Sequence, residues 1–318
     1  MLNLFRTRVT ILAAVALVLT GCSQEPAATP AVPGVGNFDL HVTAGILTVN
    51  GAGGATIPAW SFTDVASTPQ FPGPVLNVNE GDTVNITVFN DHTVSHNFVI
   101  NGITSDTAAI APGTSKMYTF TADSAGTYLY YDSLNTDINR EMGLYGALIV
   151  NPKDGSKTAW TGAPAYTFQR TWVTSDMDKP NWNDIAGSGG VVNTAIYKPN
   201  YFLINGMGGE DGMKDKVNTA IDGRVGQTAL VRILNAGQYP QTFHFHANHV
   251  QVLSVDGVRR TAPYKLLDVI QVKPLGSADV LFYLNQPGTY PMHNHTAQME
   301  TANGVYLNGV ATLIYIAQ

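Results

Sequence analysis

The chain has 318 residues, 44% apolar and 13% charged, enough for two ordinary domains with cores of their own. Its formal charge is −6, and two of its 17 basic residues, Arg6 and Arg8, lie ahead of Cys22 in a stretch without acids, so the remainder is more acidic still. That balance, with no basic patch interleaved with aromatics, argues against nucleic acid as a partner.

Arg6 and Arg8 precede an apolar run from Val9 to Leu19, followed by Thr20-Gly21-Cys22. A charged segment, a short apolar core and small residues describe an export signal, too short to span a membrane comfortably. The segment resembles a bacterial lipoprotein signal, which implies that Cys22 is lipidated and starts the mature chain. The expected location is a membrane anchored through that lipid, facing the periplasm or the cell surface. Cys22 is the only Cys, which excludes an intrachain disulfide. Residues 23–36, rich in Pro, Ala and Gly, read as a disordered tether.

An internal repeat follows. Gly81 to Asn90 leads to His96-Asn97-Phe98, and in the same register Gly226 to Asn235 leads to Gln241-Thr242-Phe243-His244-Phe245-His246. Each copy closes with a second pair of segments. Gly126 to Ser133 leads to Gly143 and beyond, and Pro287-Gly288 to His295 leads to Gly304 and beyond. Aligning Gly126 with Gly288 sets Tyr131 opposite His293 and Ser133 opposite His295. Alternating runs bounded by Gly, Asn and Pro predict an all-β chain of two tandem sandwich or barrel domains, at about 37–155 and 163–318. Ser175 to Lys198 breaks the strand pattern and reads as a long loop. Gly206 to Lys216 reads as a second irregular stretch.

Of eight histidines, five lie in two short segments of the second copy: His244, His246, His249, His293 and His295. Residues i and i+2 of a strand share a face, so His244 with His246, and His293 with His295, each present two imidazoles on one side. On neighbouring strands the four converge on one or two metal ions that favour nitrogen. His249 has the wrong strand parity and is expected beside the site, packing or supporting a ligand. Met292 is placed there too, as a soft partner for reduced copper or else as a core residue. His41 and His92 read as ordinary strand or loop residues.

Gly81-Asp82-Thr83-Val84, Phe98, Gln241 to His246 and Gly288 to His295 resemble the multicopper oxidases and their two-domain relatives, including copper nitrite reductases and small laccases. The resemblance implies two cupredoxin-like Greek-key domains. In the oxidases of the family a blue copper held by Cys, two His and usually Met feeds a histidine-bound copper cluster. In that pattern Asn294 stands at the Cys position of the second domain, Gln241 at one blue-copper His position and Met299 near the other. The first domain keeps His96, but Asp132 and Asn139 replace its Cys and second His. His244, His246, His293 and His295 match half of the cluster ligands. Their first-domain counterparts are Val99, Asn101, Tyr131 and Ser133. The resemblance thus implies a half-cluster for one or two copper ions and no blue copper, with zinc as the alternative metal. The functions that follow are copper handling or copper-dependent redox chemistry. The alternatives are an oxidoreductase using a partner's electron-transfer site, and a structural protein. Relatives imply a homotrimer.

Overall fold

The computed structural model describes residues 33–318; Cys22, the leader before it and most of the expected tether lie outside that range. The first half folds into two four-stranded sheets. One orders Ala55–Thr63, Val35–Val49, Thr83–Asn90 and Ser115–Thr121; the other orders Leu76–Asn79, Tyr145–Asn151, Gly126–Tyr131 and Val99–Ile100. Their inward faces meet over a core that includes Leu40, Phe62, Val84, Ile86, Phe98, Tyr130 and Leu148. Alternation accounts for this, since Val84, Ile86 and Val88 point in while Thr83, Asn85 and Thr87 do not. The first strand begins two residues inside the expected tether. Val35 and Gly36 pair with Thr83 and Val84, which gives their backbone a sheet to bond and corrects the boundary.

The second half repeats the plan. A five-stranded sheet orders Ile221–Arg224, Ala311–Ala317, Gly288–Asn294, Gln241–Phe245 and Val269–Val272. It packs on a larger sheet built around Phe168–Met177, Thr228–Asn235, Ser277–Tyr283 and Val250–Val255. Trp172, Phe243, Phe245, Phe282 and Met292 lie between them. Further apolar clusters join the two halves, one of Leu129, Tyr145, Ile149, Val173 and Leu234, another of Leu47, Ile57, Met177 and Leu203.

The repeat has a physical basis at both ends of one strand. Gly81 and Gly226 sit at φ +98° and +89°, a left-handed conformation that admits glycine without strain, and each turns the chain into its strand. Asn90 and Asn235 close those strands with matching side-chain bonds. Asn90 Nδ2 donates to the Val94 and Ile110 carbonyls, both at 2.8 Å, and Asn235 Nδ2 to those of Tyr239 at 2.8 Å and Val272 at 3.0 Å.

The stretch expected to be one long loop is more ordered than that. Ser175 to Met177 still belong to a strand, and Lys179–Asn183 and Asp184–Gly187 form helical turns. Asp178 starts the first turn by accepting from the Asn181 backbone at 3.1 Å, with Pro180 the second residue of that turn. Gly209–Lys214, in the second irregular stretch, is a short helix with Glu210 and Asp211 in its first turn and Lys214 in its last.

Candidate metal centre

Gln241–Phe245 and Gly288–Asn294 are antiparallel neighbours, with Phe243 opposite Asn294, His244 opposite His293 and Phe245 opposite Met292. Because Phe243, Phe245 and Met292 occupy the core, the same pleat turns His244 and His293 outward together. The pairing runs on to His246, whose backbone N–H donates to the Pro291 carbonyl at 3.2 Å. In the first half Val99 pairs with Tyr131 in the equivalent register, so the repeat superposes strand for strand where the imidazoles stand.

Ring nitrogens of His244, His246 and His293 lie within 4.8 Å of one another, the only metal-competent group of this kind among the described residues. His246 Nε2 and His293 Nε2 are 3.1 Å apart. His244 Nδ1 is buried and has no hydrogen-bond partner. A ring with an orphaned nitrogen, packed against two rings whose nitrogens face each other, is costly for a protein alone, and converging lone pairs are relieved by a cation, so these residues fit a metal ion. Burial, then the nearby His244, His293 and His295, depresses the pKa of His246 and favours the neutral ring that a metal requires. His295 stands at the rim, exposed, with its ring centroid 5.1 Å from that of His244. Three of the expected four imidazoles therefore present converging nitrogens, with the fourth alongside.

Neither residue expected beside this cluster joins it. Met292 is fully buried on the opposite face of its strand, as parity demands, so it is a core residue. His249 is exposed, because Ala247 at φ +74° ends the strand direction and turns the chain away. The residue that does touch the cluster is Glu300. Its carboxylate contacts His293 Nδ1, which also faces the Asn294 carbonyl oxygen at 2.9 Å.

The positions matched to blue-copper ligands hold hydrogen-bond networks. In the second half Asn294 Nδ2 donates to Gln241 Oε1 at 2.6 Å, while Asn294 Oδ1 accepts from the Thr242 hydroxyl and the Thr296 backbone, both at 2.9 Å. In the first half His96 Nδ1 meets Asp132 Oδ2 at 2.7 Å, and Asn139 Nδ2 donates to the same oxygen at 2.9 Å. His92, expected to be an ordinary loop residue, extends this chain. Its Nδ1 lies 2.8 Å from His96 Nε2, and both rings pack on Trp60. Burial, and after it the charge of His96, pulls the His92 pKa down to about 4, so the His92 ring is uncharged at neutral pH.

Two family profiles, both described as multicopper oxidase, match residues 63–155 and 169–316. The chain belongs to the multicopper oxidase and copper nitrite reductase superfamily. Its two halves are cupredoxin domains. It is 31% identical over 244 residues to Laccase-9 of Arabidopsis thaliana, covering 70% of this chain and 38% of that one. It is 26% identical over 262 residues to the copper-containing nitrite reductase of Alcaligenes xylosoxydans xylosoxydans, covering 76% of each. Among solved structures, the blue copper oxidase from Nitrosomonas europaea superposes with a TM-score of 0.74 at 23% identity, over 89% of this chain and 86% of the other. The cupredoxin pair thus spans well under half the length of the laccase and about three quarters of the nitrite reductase.

Proposed function

We propose that this protein is an exported lipoprotein that binds copper at His244, His246 and His293, with His295 as a further ligand, and works in copper handling or one-electron chemistry on a single substrate. The observation that carries the reading is the convergence of ring nitrogens from His244, His246 and His293 within 4.8 Å of one another, with the Nε2 atoms of His246 and His293 face to face. Copper bound there would supply one-electron exchange and open coordination positions. The protein aims the rings from two paired strands, so the site is preorganised for the ion.

No thiolate takes part in this reading. The only Cys is Cys22, and Asn294 bonds the Gln241 side-chain oxygen while accepting from the Thr242 hydroxyl. A long-range electron relay of the blue-copper kind is therefore left out, and laccase turnover is not the expected activity. Zinc suits the same imidazoles, so the test compares the metals directly.

The test is titration of the exported chain, purified in detergent, with cupric and zinc ions. His244→Ala, His246→Ala and His293→Ala should each weaken copper binding by orders of magnitude, and His41→Ala should not. Equal affinity in all four variants, or a marked preference for zinc, would sink the copper reading. The anchor is checked apart from the metal: native protein should fractionate with membranes, and Cys22→Ser should not. Soluble native protein with an unmodified N-terminus would remove the lipoprotein assignment.

A further inference from the structure

Glu300 closes a short helical turn, Ala297–Glu300, only a few residues beyond the strand that carries His293. The residue is 9% exposed. Its backbone is clamped, with the Gly309 N–H donating to the Glu300 carbonyl at 3.0 Å and the Val310 N–H to that of Met299 at 2.9 Å. The approach is so close that a Cβ on Gly309 would lie 2.2 Å from the Met299 carbonyl oxygen and 2.6 Å from the Glu300 carbonyl carbon. The carboxylate is thus delivered to His293 by a turn with little room to move.

His293 is its one ion-pair partner among the described residues. A nearly buried carboxylate facing a single imidazole is a poor device for stability, because its desolvation is offset by one contact. The contact does settle the tautomer. The Glu300 carboxylate and the Asn294 carbonyl both accept, so Nδ1 carries the ring hydrogen and Nε2 keeps its lone pair. Nε2 is the atom that faces His246.

We infer that Glu300 is a positioning residue of the metal centre, and that its negative charge, passed through His293, makes the centre prefer cupric over cuprous ion. The inference rests on the copper reading above. A carboxylate bonded to the far nitrogen raises the basicity of the ligating one and orients the ring. The added negative charge favours a doubly charged ion over a singly charged one, so it stabilises the oxidised state of the site.

The experiment uses the full chain in detergent, with cupric and cuprous ions each competed against a chelator, and the reduction potential of the loaded protein. Glu300→Gln keeps the shape and an acceptor for Nδ1 but removes the charge. It should lower cupric affinity by about 10–100-fold, lower cuprous affinity much less, and raise the potential accordingly. Glu300→Asp keeps the charge on a shorter side chain and should fall between. A purely structural role would weaken both ions equally, and that result, or no change in either, overturns the inference. Should Glu300→Gln not fold, a wild-type cupric preference in Glu300→Asp, whose contact is lengthened, overturns it as well. If wild-type protein binds no copper, the copper reading fails first, which the wild-type titration shows separately.

Discussion

His96 stands where the family resemblance places a copper ligand, yet both of its ring nitrogens face groups of the protein itself. The ring is fully buried, with Asp132 on one nitrogen and His92 on the other. Each partner consumes a site that a metal would use, so the imidazole serves the fold. His96→Ala should cost about 3–5 kcal/mol, because it opens a cavity the size of a buried ring and takes one partner from Asp132, which keeps Asn139 and the Leu134 N–H. The same variant should leave copper affinity unchanged, which denaturation and titration of one preparation can measure together. The spectrum of copper-loaded protein should show ordinary nitrogen-ligated cupric ion without an intense blue band. A strong blue band would mean that a thiolate reaches the metal and that the ligand assignment is wrong.

Among the elements, the strand-ending asparagines of the two cupredoxin domains invite the most direct test. Asn235→Ala removes side-chain bonds to two carbonyls, the Val272 one within the interior. It should destabilise the second domain by about 2–4 kcal/mol in a denaturant melt. Asn90→Ala should do the same to the first. These residues were legible in the sequence because glycine, strand and asparagine recur at fixed spacing, and each does a local job. The His244–His293 pairing was legible for the same reason, since alternation sets the face once the strands are neighbours. What alternation cannot reach stayed hidden. His295 lies one residue past the end of its strand at Asn294, where parity no longer holds a side chain to the face. Glu300 reaches His293 by a turn that folds back, and no periodicity announces it. The helical turns after Met177 depend on Asp178, which also accepts from the Lys198 backbone at 2.6 Å, a partner too distant for local reading.

At the scale of the whole molecule, the domains are joined by acids as well as by apolar contacts. Glu141, from the first domain, accepts from the Asp178 backbone at 2.6 Å and meets the Tyr197 hydroxyl at 2.8 Å. That hydroxyl also meets Asp176, at 2.7 Å, and Asp176 accepts from the Gln238 and Tyr239 backbones. Burial, then the charge of Asp176, holds the Glu141 carboxyl protonated well above the ordinary range. Burial raises Asp176 as well, against the pull of its hydrogen bonds and of Arg140. A tyrosine has one hydrogen to give, so a proton on Glu141 lets the hydroxyl donate to Asp176 while accepting from Glu141. The sign follows from the raised pKa. This contribution to stability is complete below the unfolded carboxyl range near pH 4.5 and is lost as pH rises through the folded value. Wild-type melting temperature should therefore decline above about pH 4.5, and Glu141→Gln, which needs no proton to donate, should flatten the slope. An unchanged slope would show that this carboxyl does not govern the junction.

The order of strands in the five-stranded sheet bears on when the centre can exist. The strand carrying His293 lies between Gln241–Phe245 and Ala311–Ala317, so one of its two flanks is chain that emerges after all four clustered histidines have left the ribosome. Until that flank docks, His293 rides on an unpaired edge, and Glu300 lacks the clamp from Gly309 and Val310 that holds it in place. Tight capture of an ion there would therefore be a late event in the life of the polypeptide, following synthesis instead of guiding it. A chain threaded unfolded across a membrane would acquire its metal on the far side, from whatever supply that compartment offers.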